Sequence, residues 1–237
     1  MKNDASTAVA PVSEILRHFS DPAAVARYAE DTPRKVPGFA DLQRMAALLL
    51  VERAPEAADI LVLGAGGGLE LKAFAEARPR WGFTGIDPSA EMLDLARNVL
   101  GPLASRVRLV QGLIEDAPAG PFDGATCLLT LHFLSKPGRL RTLCEMRQRL
   151  KPGAALVVAH HSRPRDGALE RWLTRSIMFA NGTGADPAQV AASAASMAQR
   201  LPVLSAEEDE ALLAEAGFSD VALFYAGFTF RGWVAAA

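Results

Sequence analysis

The chain has 237 residues, half of them hydrophobic, and is long enough to bury a substantial core in one large domain. Its 25 basic and 27 acidic residues leave a net charge of -2, so no overall field attracts nucleic acid, which is not expected as a partner. No apolar run reaches the roughly 18 to 20 residues of a membrane-spanning helix, so no contact with a membrane is expected. The polar N-terminus shows no secretory signal pattern, which favours a cytoplasmic location.

The N-terminal segment, residues 1–40, is polar and carries four prolines, which predicts short helices and turns that could serve as a lid. From Asp41 onward, apolar residues recur at helical spacing and are followed by a continuous apolar run at residues 60–63. This pattern predicts a helix followed by a buried strand. Residues 41–237 are therefore predicted to form the main domain.

Helices and strands are then predicted to alternate up to residue 159. The predicted helices are 69–77, 89–99 and 139–150, and the predicted strands are 81–86, 107–111, 122–131 and 154–159. Such alternation implies parallel strands joined by right-handed crossovers. The expected fold is therefore a doubly wound α/β sheet.

The alternation stops after His161, where an alanine-rich stretch predicts a helical insertion at about residues 162–204, broken near Gly182. Ser205 and Glu208 then have the spacing of a capping box that begins a helix, which Gly217 would end. Two further strands, 221–225 and 228–234, are separated by only two residues, which requires an antiparallel hairpin.

A glycine loop follows the first predicted strand, with the sequence Gly64-Ala65-Gly66-Gly67-Gly68. A strand that enters such a loop before a helix places a ligand site at the carboxyl end of the sheet, and glycine allows close approach. The sixth position of the dinucleotide fingerprint is Leu69 instead of glycine, and no Gly-Lys-Ser or Gly-Lys-Thr follows, which excludes a P-loop. The loop could otherwise be a tight structural turn.

An acidic residue, Asp87, ends the second predicted strand, where it can accept hydrogen bonds from both hydroxyls of a ribose. The alternative is an aspartate that caps the following helix. The glycine loop together with the segment from Gly85 to Leu93 resembles the class I S-adenosylmethionine-dependent methyltransferases. The resemblance implies S-adenosyl-L-methionine as cofactor and a Rossmann-like seven-stranded sheet of order 3-2-1-4-5-7-6 with its last strand antiparallel.

The same resemblance implies the cofactor-binding residues. They are Gly64, Ala65, Gly66, Gly67, Asp87, Pro88, Met92, Leu113, Ile114 and Leu128. Val62 replaces an acid that is common on the first strand of the class, which removes one partner for the methionine amino group. Leu113 replaces an acid that usually accepts from the adenine amino group.

Three further segments, residues 34–39, 129–134 and 196–197, are similar to the carboxy-S-adenosylmethionine synthase branch of the class, which also suggests a homodimer. The branch's functional residues are not kept: Phe39 replaces an aromatic hydroxyl and Leu128 an asparagine. Ala195 stands where the branch has the arginine that grips the extra carboxylate of its cofactor. Alanine offers no donor to a carboxylate, which argues for ordinary S-adenosyl-L-methionine.

Candidate bases lie after the predicted fourth and fifth strands. His132 is predicted to be the catalytic base, and His160 and His161 are weaker candidates. Each could instead be a packed, capping or solvated residue. The two cysteines, Cys127 and Cys144, lie in apolar segments and are expected to be buried hydrophobes, so neither a disulfide nor a metal site is predicted. A basic cluster at residues 139–151 is predicted to be a solvated helix face.

The leading hypothesis is a methyltransferase that transfers a methyl group to a small-molecule acceptor. One alternative is a carboxy-S-adenosylmethionine synthase-like enzyme linked to wobble-uridine modification in tRNA. Another is a non-catalytic protein that binds S-adenosylmethionine. An NAD-dependent oxidoreductase is disfavoured by Leu69 and by the terminal hairpin.

Overall fold

Seven strands form one mixed sheet in the computed structural model, which describes residues 19–165 and 167–237. The strands are β1 Asp59–Leu63, β2 Gly82–Asp87, β3 Val107–Gln111, β4 Phe122–Leu128, β5 Leu150–His161, β6 Ser219–Gly227 and β7 Phe230–Ala236. Their order is β3-β2-β1-β4-β5-β7-β6, with β1 to β5 parallel and β7 antiparallel to both β5 and β6. The predicted fold and strand order are confirmed.

Eight α-helices lie in the described part of the chain. They are α1 Pro22–Lys35, α2 Phe39–Val51, α3 Leu69–Ala77, α4 Ala90–Leu100, α5 Lys136–Gln148, α6 Leu169–Asn181, α7 Pro187–Arg200 and α8 Ala206–Glu215. None of these helices is long and apolar enough to cross a membrane. Residues 1–18 of the predicted N-terminal segment lie outside the described residues.

The sheet is packed on both faces, as a doubly wound sheet requires. On one face, α2 and α3 bury Leu42, Leu50 and Phe74 against β1 and β5. On the other, α5 and α8 bury Leu143 and Leu212 against the same strands. Each large side chain contributes about 1.5 to 3 kcal/mol by leaving water, so the two layers fix the sheet in one register.

The fourth strand ends earlier than the sequence predicts, at Leu128 instead of residue 131. Leu129 has a left-handed backbone with φ of 60°, which takes the chain out of the ladder and into a 3-10 turn, Leu131–Phe133. The apolar pattern runs on because Leu131 is buried as fully as a strand residue. Apolar periodicity therefore could not show where this strand ends.

The fifth strand runs further than predicted and includes both His160 and His161. These residues pair in register with Arg231 and Phe230 of β7, and both are buried. The alternative that they are solvated loop residues is therefore wrong. The terminal hairpin is confirmed, but its turn lies at Phe228 and Thr229, where Phe228 takes the left-handed φ expected of glycine.

The capping box at Ser205 is confirmed: its hydroxyl accepts from the amide of Glu208, whose carboxylate accepts from the Ser205 amide. The insertion forms α6 and α7, with the predicted break at Gly182. Both cysteines are free thiols, with Cys127 buried and Cys144 half-buried.

The prediction that the basic cluster is a solvated face is wrong for Arg139, which is only 1% exposed. Its Nη1 donates to Asp209 Oδ1 at 2.6 Å and its Nη2 donates to the carbonyl of Pro202 at 2.8 Å. The pair joins α5 to α8. A helical charge pattern does not show which arginine turns inward, because that depends on the acid another element supplies.

Replacement of Arg139 by methionine is expected to lower the free energy of unfolding by about 3 to 5 kcal/mol, because it leaves Asp209 buried without its main cation. Arg141→Met on the exposed part of the same helix is the matched control, with an expected change within about 0.5 kcal/mol. Urea unfolding followed by circular dichroism measures both. Equal effects in the two variants would show that the buried pair does not hold α5 to α8.

Candidate active site

The loop after β1 holds glycine where both conformation and space demand it. Gly64, Gly66 and Gly68 have φ of 74°, 46° and 78°, which side chains rarely adopt. A Cβ atom on Gly64 would collide with the Oγ1 of Thr130, and one on Gly68 would lie 2.8 Å from the Cα of Ala96. Contacts from the segment after β4 and from α4 therefore fix the shape of the loop before any ligand binds.

Most of the loop amides already have acceptors within the protein. The amides of Gly64 and Ala65 both donate to the carbonyl of Ile86, that of Gly66 donates to Asp87, and that of Gly68 donates to Ala65. An anion cradle needs such amides to point at the ligand. This loop instead allows close approach, which suits a nucleoside better than a pyrophosphate.

Asp87 ends β2, as predicted, and its carboxylate holds the loop in place. Its Oδ2 accepts from the amide of Gly66 and its Oδ1 from the amide of Ser89, both at 2.9 Å. Burial raises the pKa of Asp87, and the two hydrogen bonds lower it. Each carboxylate oxygen has a second acceptor direction, so two hydroxyls of a ribose can still be bound.

The remaining predicted cofactor residues differ in their exposure. Met92 is buried, with its Cε 3.5 Å from the position of a Cβ on Gly66, and Pro88 is half-buried beside Asp87. Ile114 and Leu128 are buried in the two core layers. Leu113 is 47% exposed, and these positions surround the carboxyl ends of β2, β3 and β4.

The backbone of Leu113 is hydrogen-bonded within the protein. Its amide donates to Asp116 Oδ2 at 2.9 Å and its carbonyl accepts from the amide of Asp116 at 3.0 Å. Both groups therefore stabilise the 3-10 turn Ile114–Asp116. Its exposed side chain can still pack against a base.

Tyr28 is a site residue that the sequence did not reveal. It lies on α1, and a Cβ on Gly67 would be 2.8 Å from its Cδ1, so its ring rests on the loop. Burial is the main cause that raises the pKa of Tyr28 to about 12; a hydrogen bond with Thr32 opposes it, and the negative charges of Asp87 and Glu70 add to it. The polar, proline-containing pattern of α1 offered no signal that one side chain turns towards the sheet.

Glu70 is the second residue that sequence reasoning missed. It follows the loop in the first turn of α3, yet it is only 7% exposed. Its carboxyl group accepts a hydrogen bond from the hydroxyl of Thr126 on β4. Burial raises the pKa of Glu70 to about 8, an effect that this hydrogen bond reduces.

The three candidate bases separate into two environments. The rings of His132 and His161 are 4.8 Å apart, and His161 Nδ1 lies 2.7 Å from the hydroxyl of Thr229. His160 Nε2 instead lies 3.2 Å from Asp209 Oδ1, so His160 belongs with the buried ion pair. Only His132 and His161 are therefore brought together.

Burial keeps these two imidazoles uncharged. It lowers the pKa of His161 to about 3, and it lowers that of His132 well below 6.5, with the neighbouring histidines and Arg139 adding to the effect. Thr130, two residues before His132, is the side chain that packs against Gly64. His132 lies in the 3-10 turn that begins after Thr130, with its ring 4.2 Å from that of Phe133.

Comparison with known proteins agrees with this geometry. A family model described as a methyltransferase domain matches residues 60–153, which span the strands around the loop. The chain is 25% identical over 230 residues to the carboxy-S-adenosyl-L-methionine synthase of Chromohalobacter salexigens, covering 95% of this chain and 85% of that one. It is 33% identical over 123 residues to a trans-aconitate 2-methyltransferase of Azoarcus sp., covering 51% of this chain and 46% of that one.

A solved structure described as PigF with SAH superimposes with a TM-score of 0.67 at 17% identity and covers 94% of this chain. The chain spans 62% of the length of that structure. At this identity the likeness concerns the fold.

The strand order, the glycine loop and the acid at the end of β2 are those of the class I S-adenosylmethionine-dependent methyltransferase fold, and the methyltransferase domain model matches the part of the chain that carries the loop and the acid. Over nearly its whole length, the sequence is similar to carboxy-S-adenosylmethionine synthases. Ala195 lies half-buried on α7, and Arg200 at the end of that helix is exposed.

The uncharged state of His132 and His161 leads to an expected loss of stability in acid. In the unfolded chain both imidazoles regain a pKa near 6.5. Below this pH the unfolded state therefore binds more protons than the folded state, which destabilises the fold. The free energy of unfolding should fall by up to about 1.4 kcal/mol per pH unit for each imidazole. Urea unfolding at pH values from 7.5 to 5 measures this slope. His161→Gln should reduce the slope by up to about 1.4 kcal/mol per pH unit, the contribution of one imidazole.

Proposed function

We propose that this enzyme transfers a methyl group from S-adenosyl-L-methionine to an uncharged small-molecule acceptor bound beside His132. The observation that carries the proposal is the packing of Thr130 against Gly64, which connects the glycine loop to the 3-10 turn that holds His132. The related proteins named above support methyl transfer in general. The acceptor is argued from the side chains around His132.

The residues of the loop fit S-adenosyl-L-methionine. Glycine is required at positions 66 and 67, because a Cβ at either position would meet Tyr28, Met92 or Leu95. Asp87 has acceptor directions left for the ribose. The loop amides already donate to acceptors within the protein, so they are not available to bind a phosphate. Leu69 at the sixth position also departs from the dinucleotide fingerprint.

The surroundings of His132 favour an acceptor without charge. His161, the hydroxyls of Thr229 and Ser176 and the ring of Phe230 are joined by contacts of 2.7 to 4.0 Å. These groups are polar or aromatic but neutral, and Arg139 is already engaged by Asp209. A charged acceptor would lose its hydration here without gaining a counter-ion.

The chemistry asks the protein mainly for alignment and for the exclusion of water. When bound, S-adenosyl-L-methionine supplies an electrophilic methyl group on a sulfonium with a good leaving group. Asp87 would hold the ribose while Tyr28 and α1 cover the loop. His132, uncharged at neutral pH, would hold the acceptor and accept its proton.

A second candidate function is the synthesis of carboxy-S-adenosylmethionine, because a named relative of that activity matches nearly the whole chain. The position aligned with the carboxylate-binding arginine is Ala195, and Arg200 uses its Nε on the carbonyl of Ser196 at 3.4 Å. Incubation with S-adenosylmethionine and prephenate, followed by mass spectrometry, distinguishes the two functions. A carboxylated product would favour the synthase, and its absence together with methyl transfer to another acceptor would favour the methyltransferase.

Asp87→Ala is expected to weaken the binding of S-adenosylhomocysteine at least about 30-fold, because it removes the ribose acceptor and frees the amide of Gly66. Asp94→Ala, which alters an exposed acid of α4 that pairs with Arg97, is the control and should leave the affinity within about twofold. Isothermal titration calorimetry measures both. If the wild-type protein does not bind S-adenosylhomocysteine, the proposed cofactor is wrong.

His132→Asn is expected to lower kcat about 10²- to 10³-fold with little change in the affinity for S-adenosylhomocysteine, as for the loss of a general base. The acceptor for this assay comes from a screen of uncharged phenols and alcohols for formation of S-adenosylhomocysteine. His160→Asn is the comparison, since His160 faces Asp209 and should change stability more than turnover. An unchanged kcat in His132→Asn would reduce this residue to a packing role.

A further inference from the structure

Glu70 is one of three buried carboxylates among the described residues, and it differs from the other two. Asp209 accepts from Arg139 at 2.6 Å, and Asp123 accepts from Lys151 at 2.6 Å. Glu70 has no ion-pair partner in the described part of the chain, and its recorded side-chain partner is the hydroxyl of Thr126. A buried carboxylate is costly to ionise without a neighbouring cation. The described residues place no such cation beside Glu70.

The carboxyl group of Glu70 lies at the carboxyl end of the sheet. Thr126, its partner on β4, pairs in register with Val62 of β1, two residues before Gly64. Paired residues of neighbouring strands point to the same face, so Thr126 and Val62 both point to the face on which α3 packs. Strand β1 has no acid of its own at this position, and α3 supplies the carboxyl group instead.

Glu70 and Asp87 both lie near Tyr28. Their negative charges raise the pKa of the Tyr28 hydroxyl, which lies 3.3 Å from the position of a Cβ on Gly66. The two carboxyl groups are therefore neighbours of the one tyrosine that rests on the glycine loop. Asp87 is held by two amides and suits further hydrogen bonds from hydroxyl groups. Glu70 has no cation beside it among the described residues and suits a positively charged group.

We propose that Glu70 binds the α-ammonium group of the amino-acid part of the S-adenosyl nucleoside, an inference that rests on the function proposed above. The ligand then supplies the cation that the fold omits, and Thr126 orients the carboxylate towards it. The nucleoside is held at both ends, by Asp87 at the ribose and by Glu70 at the ammonium. This division assigns recognition of the amino acid to α3 instead of to β1.

Ammonium binding should also release a proton. Free Glu70 is largely protonated at pH 7, since burial raises its pKa to about 8, and a bound cation favours its ionised form. The other titratable groups that face it are Tyr28, Asp87 and Cys127, and burial raises the pKa of each. Tyr28 and Cys127 therefore stay protonated throughout a titration between pH 6.5 and 8.5.

The test compares S-adenosylhomocysteine with its deaminated analogue, in which hydrogen replaces the α-ammonium group. Wild-type protein should bind S-adenosylhomocysteine at least about 20-fold more tightly than the analogue. Glu70→Gln should weaken S-adenosylhomocysteine at least about 10-fold and change the analogue less than about threefold, so that the preference collapses. Glu76→Gln, on the exposed face of the same helix, should keep the preference.

Proton release gives a readout that a merely structural role would not move. Calorimetry at pH 7 in phosphate and in Tris should show between about 0.5 and 1 proton released by the wild-type protein, and none by Glu70→Gln. Equal weakening of both ligands in Glu70→Gln, or unchanged proton release, would overturn the inference. If the wild-type protein binds both ligands equally, only the proposed role of Glu70 is wrong. If it binds neither ligand, the proposed function is wrong.

Discussion

The carboxylate of Asp87 is the interaction on which the site depends. Its two oxygens join the end of β2 to the glycine loop through Gly66 and to the start of α4 through Ser89. Ser89 in turn caps α4 by accepting from the amide of Met92, the residue whose thioether reaches the loop. One side chain thus sets the relative positions of a strand, a loop and a helix. Because these groups are already ordered, binding of a ribose here as proposed would cost little further conformational entropy.

The sequence predicted the sheet well because its evidence is local. Strand β1, the loop and Asp87 are adjacent along the chain or a crossover apart, so their periodicity and spacing carry the fold. The errors arose where a distant element decides the outcome. Arg139 is buried because α8 brings Asp209 to it, and β5 continues through His160 because β7 pairs with it.

The candidate site divides in the same way. The glycine loop and Asp87 could be proposed as a site from the sequence, because glycines followed by an aspartate at this spacing are informative. Tyr28 and Glu70 were not, since nothing in a polar helix or in the sequence Leu-Glu-Leu shows that a side chain turns inward. Their roles emerge only when α1 and α3 are seen packed against the same few glycines.

The ring of Tyr28 on the loop has a kinetic consequence. A nucleoside that binds at Gly66, as proposed, would have to displace this ring, and that movement requires α1 to loosen its packing on α6 and α4. Residence time would then be governed by how firmly one helix docks, and turnover could be limited by escape of the spent nucleoside instead of by the bond that is made. Substitutions on the outer contacts of α1 would therefore alter speed without touching any atom of the reactants.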